Sequence, residues 1–315
     1  MNAKRIYVIS GILGLTAGAL VVLLNSFINN GKPTKEENEH YQKQITEKYR
    51  IFSLPLPEKL DFAGESVPMD QMDVRERLDR ELLVNTYWHS NTLLCIKRAA
   101  RWFPVVEPIL QANGVPEDFK YLAVIESGFT NVVSPAGASG FWQFIESTGK
   151  EFNLEINDQV DERYHVEKAT QAACNYLKEA YAKYGSWAMA AASYNMGIGG
   201  PIRQMERQQQ NAYWDLLLND ETGRYVYRIL AMKYIMNNAD QYGFVIRPSD
   251  LYEPFQYTTV TVDSSITDLA TFSKQFSVSY KALKLLNPWL RQNYLKNKER
   301  KSYSIKIPKQ DIQKY

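Results

Sequence analysis

The chain has 315 residues, of which 45% are hydrophobic and 23% charged, and its formal net charge is +2. This composition suits one to three folded domains and excludes a fibrous or largely disordered chain. The charge is nearly balanced and has no long single-sign block, so no nucleic-acid partner is expected. His40, His89 and His165 form no metal-binding spacing, so neither a metal nor a cofactor is expected. Cys95 and Cys174 have no CxxC spacing and read as buried free thiols, with a disulfide left open.

Taken in chain order, Lys4 and Arg5 precede residues 6–28, a run without a charged side chain. It is long enough to cross about 30 Å of hydrocarbon as a helix, and the basic flank would keep the N-terminus in the cytoplasm. A cleaved signal is the alternative, although no small-x-small site follows. Residues 29–69 are polar and then proline-rich (Pro33, Pro55, Pro57, Pro68) and read as a tether, part of which can pack on the domain that follows.

From Asp70 the apolar period becomes helical. Val74, Leu78, Leu82 and Leu83 define one helix. Residues 90–113, with Leu93, Leu94, Ile96, Trp102, Val106 and Leu110, define a second that stops at Asn113-Gly114. Pro116, Glu117 and Asp118 open a third. In it Phe119, Leu122, Ala123 and Glu126 fall at i, i+3, i+4 and i+7 and share a face, so a carboxylate lies along the apolar stripe. Burial there would raise its pKa, as a proton-donating acid at neutral pH requires; a solvent-facing Glu at a helix end is the plainer reading. A small-residue loop, 134–140, follows, and then Trp142 and Gln143. Residues 166–184 and the alanine-rich 187–195 are further helices, the latter capped by Ser186 and ending in a glycine-bearing turn after Tyr194 and Asn195. A last core helix is expected over 227–237, and no strand between 70 and 245.

Five segments, IES at 125–127, GASGFWQF at 137–144, VDER at 160–163, AACNYL at 172–177 and ASYNMGIG at 192–199, occur in this order. Over residues 72–240 they resemble the motifs of lysozyme-like lytic transglycosylases, most closely the membrane-bound type D group. The resemblance implies that Glu126 is the single catalytic acid/base, and that Ser139, Gln143, Tyr194 and Asn195 line the cleft. Glu221 is implied as a second cleft carboxylate, although the family's ETR is here Glu221-Thr222-Gly223-Arg224. The implied substrate is peptidoglycan glycan strands, cut without water between N-acetylmuramic acid and N-acetylglucosamine to leave 1,6-anhydro ends. The 13% aromatic content, with 21 Tyr and 6 Trp, suits a carbohydrate cleft as well as a core. No second carboxylate stands between 127 and 145 to complete a two-carboxylate hydrolase. A lysozyme-type hydrolase and a non-catalytic peptidoglycan-binding protein remain the alternatives. Tyr194 is expected to hydrogen-bond Glu126 or the substrate's N-acetyl group; Ser139 and Gln143 are expected to donate to sugar oxygens, and Glu146 to face solvent.

After Arg247-Pro248 the period changes. A strand over 257–262, helices over 266–276 and 278–286, and a strand over 302–307 give a βααβ order that resembles a LysM module. It departs from that pattern at Val262-Asp263 and in the basic insert 291–301. The expected fold class is therefore mainly α: an N-terminal transmembrane helix (1–28), a linker (29–69), a lysozyme-like helical catalytic domain (70–247) and a small LysM-like domain (255–310). The implied location is the cell envelope, membrane-anchored through residues 6–28, with the catalytic domain on the periplasmic side.

Overall fold

The computed structural model describes residues 34–48 and 51–309. The chain divides into two compact units, Met1–Phe52 with Val245–Leu251, and Ser53–Phe244 with Tyr252–Tyr315. In the first, helix α1 (Lys35–Lys48) opens on a reciprocal cap. Thr34 N donates to Glu37 Oε2 at 2.7 Å and Glu37 N donates to Thr34 Oγ1 at 3.2 Å, which satisfies two groups a helix start leaves open. In the same unit the Arg247 guanidinium grips both carboxylate oxygens of Asp250 and donates to Asn38 Oδ1 at 2.8 Å.

The second unit opens with a short hairpin, β1 (Asp61–Phe62) and β2 (Glu65–Ser66). Its turn residues Ala63 and Gly64 have φ of 53° and 83°, the left-handed pair that a tight two-residue turn requires. This stretch belongs to the segment read as a tether, part of which was expected to pack on the domain that follows. Phe62 is buried edge-on against Phe119 with ring centroids 5.4 Å apart, and Ala63 N donates to Asp118 Oδ2 at 2.6 Å. Strands of two residues carry no readable period, which is why the sequence showed none.

Helices then build the core: α2 (Met72–Tyr87), α3 (His89–Ala112), α4 (Lys120–Ser127), α5 (Glu146–Glu151), α6 (Val166–Tyr184), α7 (Trp187–Met196), α8 (Gly200–Gln208) and α9 (Asp220–Asn237). Helix α9 runs through the centre and packs on α2, α4 and α7. Its Tyr225, Val226, Ile229, Leu230, Ala231 and Ile235 are sealed from solvent. Four alanines of α7 are buried as well and let its neighbours approach closely. On α3 the buried line runs through Cys95, Ala99, Val106 and Leu110, while Leu93 and Leu94 stay half-open. Cys95 and Cys174 are buried and unpaired, and burial pushes their thiols up to about 11 and about 12. Between 70 and 245 the described residues hold only isolated β-bridges and no strand.

The C-terminal elements follow the expected order. Strand β3 (Tyr257–Val262) pairs antiparallel with β4 (Tyr303–Pro308), from Tyr257 opposite Pro308 to Val262 opposite Tyr303. Between them lie α10 (Leu269–Gln275), capped by Asp268, and α11 (Tyr280–Leu286), capped by Ser279. Ile266, expected inside the first of these helices, instead bridges Leu295.

One part of the expected fold class is corrected. The transmembrane helix at residues 6–28 lies outside the described residues, and among those described no helix is long and apolar enough to cross a membrane. Among the described residues the architecture is mainly helical, with a βααβ module.

Candidate active site

Helix α4 carries Glu126 as its penultimate residue. The helix enters through a 3₁₀ turn, Glu117–Phe119, and leaves at Gly128 in the left-handed conformation (φ 56°), whose N–H donates to Val124 O at 2.8 Å. Phe119, Leu122 and Ala123 are fully buried, so the stripe they share with Glu126 faces the core and leads the carboxylate into a half-buried position.

Burial and three neighbouring groups set its chemistry. Burial raises the Glu126 pKa above the usual carboxylate range, a hydrogen bond from Tyr225 and the nearby Arg228 guanidinium pull it down, and the Glu221 charge pushes it up again; the net effect is a raise. The Tyr225 hydroxyl donates to Glu126 Oε1, and burial with the facing carboxylate puts its own pKa well above the tyrosine range. Arg228 donates to Ile125 O at 2.9 Å, on the backbone just before the acid. Glu221, Tyr225 and Arg228 are four and three positions apart on α9, so one face of that helix addresses Glu126.

Tyr225 is the partner that sequence reasoning missed. The helix was expected to begin at Tyr227, but it begins at Asp220, where Asn219 Oδ1 accepts from Thr222 N at 2.8 Å. The signal was present: an Asn cap followed by two acids, Asp220 and Glu221. Of the two partners expected for Tyr194, Glu126 and the substrate's N-acetyl group, the first is not met. The Tyr194 hydroxyl donates to Trp142 O at 2.8 Å and not to Glu126, although the Glu126 charge contributes to its raised pKa.

The other candidates sort into two groups. Asn195 Nδ2 donates to Glu221 Oε1 at 2.9 Å, and Thr222 Oγ1 donates to Asn195 Oδ1 at 2.7 Å, so the turn after α7 and the start of α9 are tied together. Arg224, from the altered motif, turns away and donates to the buried Glu81 of α2 at 2.7 Å. Ser139 and Gln143 belong to the loop 134–144. Ser139 is buried, and its hydroxyl donates to Gly137 O at 3.3 Å. Gln143 sits at φ 48° and its amide nitrogen donates to Gly140 O at 2.8 Å and Val132 O at 3.1 Å. Both side chains are thus engaged in shaping their own loop. Glu146 is exposed and pairs with Lys150.

A buried ion pair fastens that loop from outside. The Asp161 carboxylate takes Arg163 Nε at 2.9 Å and Nη2 at 2.7 Å. Arg163 Nη1 then reaches Gly137 O at 3.0 Å and Phe144 O at 3.2 Å, at the two ends of the bend. Gly140 (φ 78°) passes so close that a Cβ there would lie 1.9 Å from Arg163 O. Among the described residues no cluster of His, Cys, Asp and Glu could hold a metal ion.

With this geometry in place, comparison with known proteins gives two domain matches. Residues 105–217 match the transglycosylase SLT domain, and residues 258–311 match the soluble lytic transglycosylase C-terminal LysM-like domain. The chain carries an SLT domain followed by a LysM-like domain of the kind found at the C-terminus of soluble lytic transglycosylases. Two curated relatives are the membrane-bound lytic murein transglycosylases D of Escherichia coli strain K12 and of Escherichia coli O6:H1 strain CFT073. Each is 27% identical over 243 residues, which cover 74% of this chain and 52% of the relative. The chain thus spans about half the length of the curated relatives it matches.

Proposed function

We propose that the chain is a peptidoglycan lytic transglycosylase, with Glu126 as its acid/base and peptidoglycan glycan strands as its substrate. The observation that carries this reading is the state of Glu126: a carboxyl on an apolar helix face, its pKa raised by burial, with a tyrosine hydroxyl fixing one oxygen. Such a group keeps its proton to higher pH than an exposed carboxyl and can give that proton to a glycosidic oxygen.

The steps balance with one carboxyl. Glu126 protonates the oxygen of the β-1,4 bond between N-acetylmuramic acid and N-acetylglucosamine, and the muramic C1–O bond breaks. Positive charge develops at C1, and the sugar's own N-acetyl oxygen helps to stabilise it. Glu126, now a carboxylate, takes the proton of the C6 hydroxyl as that oxygen bonds to C1. A 1,6-anhydro end forms and the acid is restored without water. Tyr225 holds the carboxyl in one rotamer through both halves of the cycle, and Glu221 disfavours its ionised form before the proton is given. Asn195 and Glu221 form one polar edge of the cleft, and Tyr194, Ser139 and Gln143 shape the loop edge opposite it. The SLT-domain match and the names of the relatives support this assignment.

The corresponding domain limits are 70–247 for the catalytic part and 255–310 for the LysM-like part. The location that fits the substrate is the cell envelope. The test is digestion of purified peptidoglycan by wild type and Glu126→Gln side by side, read by mass spectrometry. Products short of one water per cut, absent with Glu126→Gln, support the reading; reducing muramic ends would make the enzyme a hydrolase, and anhydro products from the variant would remove Glu126 from the role.

A further inference from the structure

The C-terminal module does not hang free from the helical domain. Val160 of the helical domain and Leu290 of the module form an antiparallel bridge. Asp161 N donates to Trp289 O at 2.9 Å, and Arg291 N donates to Gln159 O at 2.7 Å, so the two backbones make a short ladder. Lys296 N adds a bond to Gln159 Oε1 at 2.7 Å. Side chains follow the backbone. Val160 and Tyr164 are buried in the module's own core with Leu269, Leu283, Leu290 and Ile305. The Arg291 guanidinium lies 4.1 Å from the centre of the Tyr164 ring, and Lys306 pairs with Glu167.

What makes this docking consequential is the residue beside each contact. Val160 and Tyr164 point into the module, while Asp161 and Arg163, between them in sequence, form the ion pair that grips Gly137 O and Phe144 O of the loop 134–144. That loop has little regular structure of its own. Its bend is closed by Ser139 N to Phe144 O at 3.0 Å and Gly140 N to Val132 O at 3.3 Å.

We propose that the LysM-like module is a brace for the cleft loop, and that Leu290 and Trp289 are positioning residues acting through Asp161 and Arg163. The module thereby contributes to turnover of a glycan too short to touch it. The activity side of this statement rests on the transglycosylase reading above, whereas its structural side does not.

The test uses the full chain. Leu290→Ala and Lys306→Glu loosen the docking from two sides, the second by setting a like charge against Glu167. Arg163→Lys keeps the charge but loses the fork that spans the Asp161 carboxylate and the two loop carbonyls. Lys281→Ala, exposed on α11, is the control. Amide exchange at Ser139 and Gly140 is expected to quicken about tenfold or more in the three variants, while amides of α9 and the control keep their rates, since a local opening differs from a global one. Turnover of a soluble tetrasaccharide is expected to fall by about 100-fold in kcat/KM, the scale of a displaced site wall.

Unchanged loop exchange in Leu290→Ala and Lys306→Glu overturns the brace, whatever Arg163→Lys does. So does loss of activity on whole sacculi with short-glycan turnover intact, which would make the module a glycan tether. If the wild type turns over neither substrate, the transglycosylase reading fails, and the exchange rates alone decide the brace.

Discussion

The two walls of the proposed cleft are held in different ways. On the Glu126 side, α4 and α9 present Glu126, Glu221, Tyr225 and Arg228 from helices whose other faces are sealed in the core, so each side chain inherits its position from packing. On the loop side, residues 134–144 have no helix to inherit from. Their shape rests on a few polar reaches, chiefly Arg163 to Gly137 O and Phe144 O. A packed wall yields to a change in its chemistry, whereas a tied wall yields to a change in any one knot.

The largest effect separates chemistry from packing. Glu126→Gln should lower turnover by about 1,000-fold or more, the scale of lost acid/base catalysis, in a release assay for anhydro products. The same change should leave the protein at least as stable at neutral pH. A raised native pKa contributes stability below the unfolded value of 4.5 and loses it as pH rises, so a neutral isostere removes a cost. A lower melting temperature for the variant at pH 7 would contradict the burial argument.

Next comes Tyr225→Phe, which should reduce kcat by about tenfold, in line with one hydrogen bond to a charged group. It should also move the alkaline limb of the pH–rate profile upward. The Tyr225 bond lowers the Glu126 pKa, so removing it keeps the acid protonated to higher pH. A downward move of that limb would mean that the hydroxyl favours the neutral acid instead.

On the tied wall, Gly140→Ala is expected to cost about 2–3 kcal/mol in denaturant unfolding, because it combines a left-handed backbone with a Cβ 1.9 Å from Arg163 O. A smaller knot is Glu65, whose carboxylate accepts from the hydroxyl of Ser186 at 2.9 Å and from the backbone N–H groups of Trp187 and Ala188, at the start of the helix that ends in Tyr194 and Asn195. Glu65→Ala should cost about 1–2 kcal/mol, a helix-cap loss read as a lower melting temperature.

The last effect is read from the pH dependence of stability. Burial alone would raise the Glu167 pKa, but His165 Nδ1 at 3.2 Å and the Lys306 ammonium outweigh it and hold the carboxyl at about 2. A depressed carboxyl contributes stability above its unfolded pKa of 4.5 and loses it as pH falls toward 2. Glu167→Gln should flatten that part of the melting-temperature profile and leave its neutral part lower and level.

How much of this was readable from the chain depended on whether one element or two had to be known. The Glu126 stripe was legible because a 3.6-residue period is a property of a single helix. So were the Ser186 cap and the βααβ order of the module. Tyr225 was not, because its value lies in meeting a residue 99 positions away, and because the start of its helix was placed seven residues late despite the Asn219 cap. Tyr194 shows the same difficulty in reverse: a tyrosine next to the right motif was expected to meet Glu126 or the substrate's N-acetyl group, and the packing of α7 carries its hydroxyl to Trp142 O. The Asp161–Arg163 grip was invisible for a further reason. Its receptors are backbone carbonyls, which sequence does not distinguish.

The two buried thiols have a use beyond packing. With pKa values of about 11 and about 12, Cys95 and Cys174 hold almost no thiolate at neutral pH and are shut away from reagents. Cys95 Sγ lies 3.2 Å from where a Cβ on Gly128 would stand, directly under the end of the Glu126 helix, whereas Cys174 sits on α6. The molecule therefore contains a pair of built-in clocks. Alkylation at Cys95 times the loosening of the acid's own helix, alkylation at Cys174 times the opening of the core, and their ratio tells breathing at the reacting centre apart from unfolding of the whole.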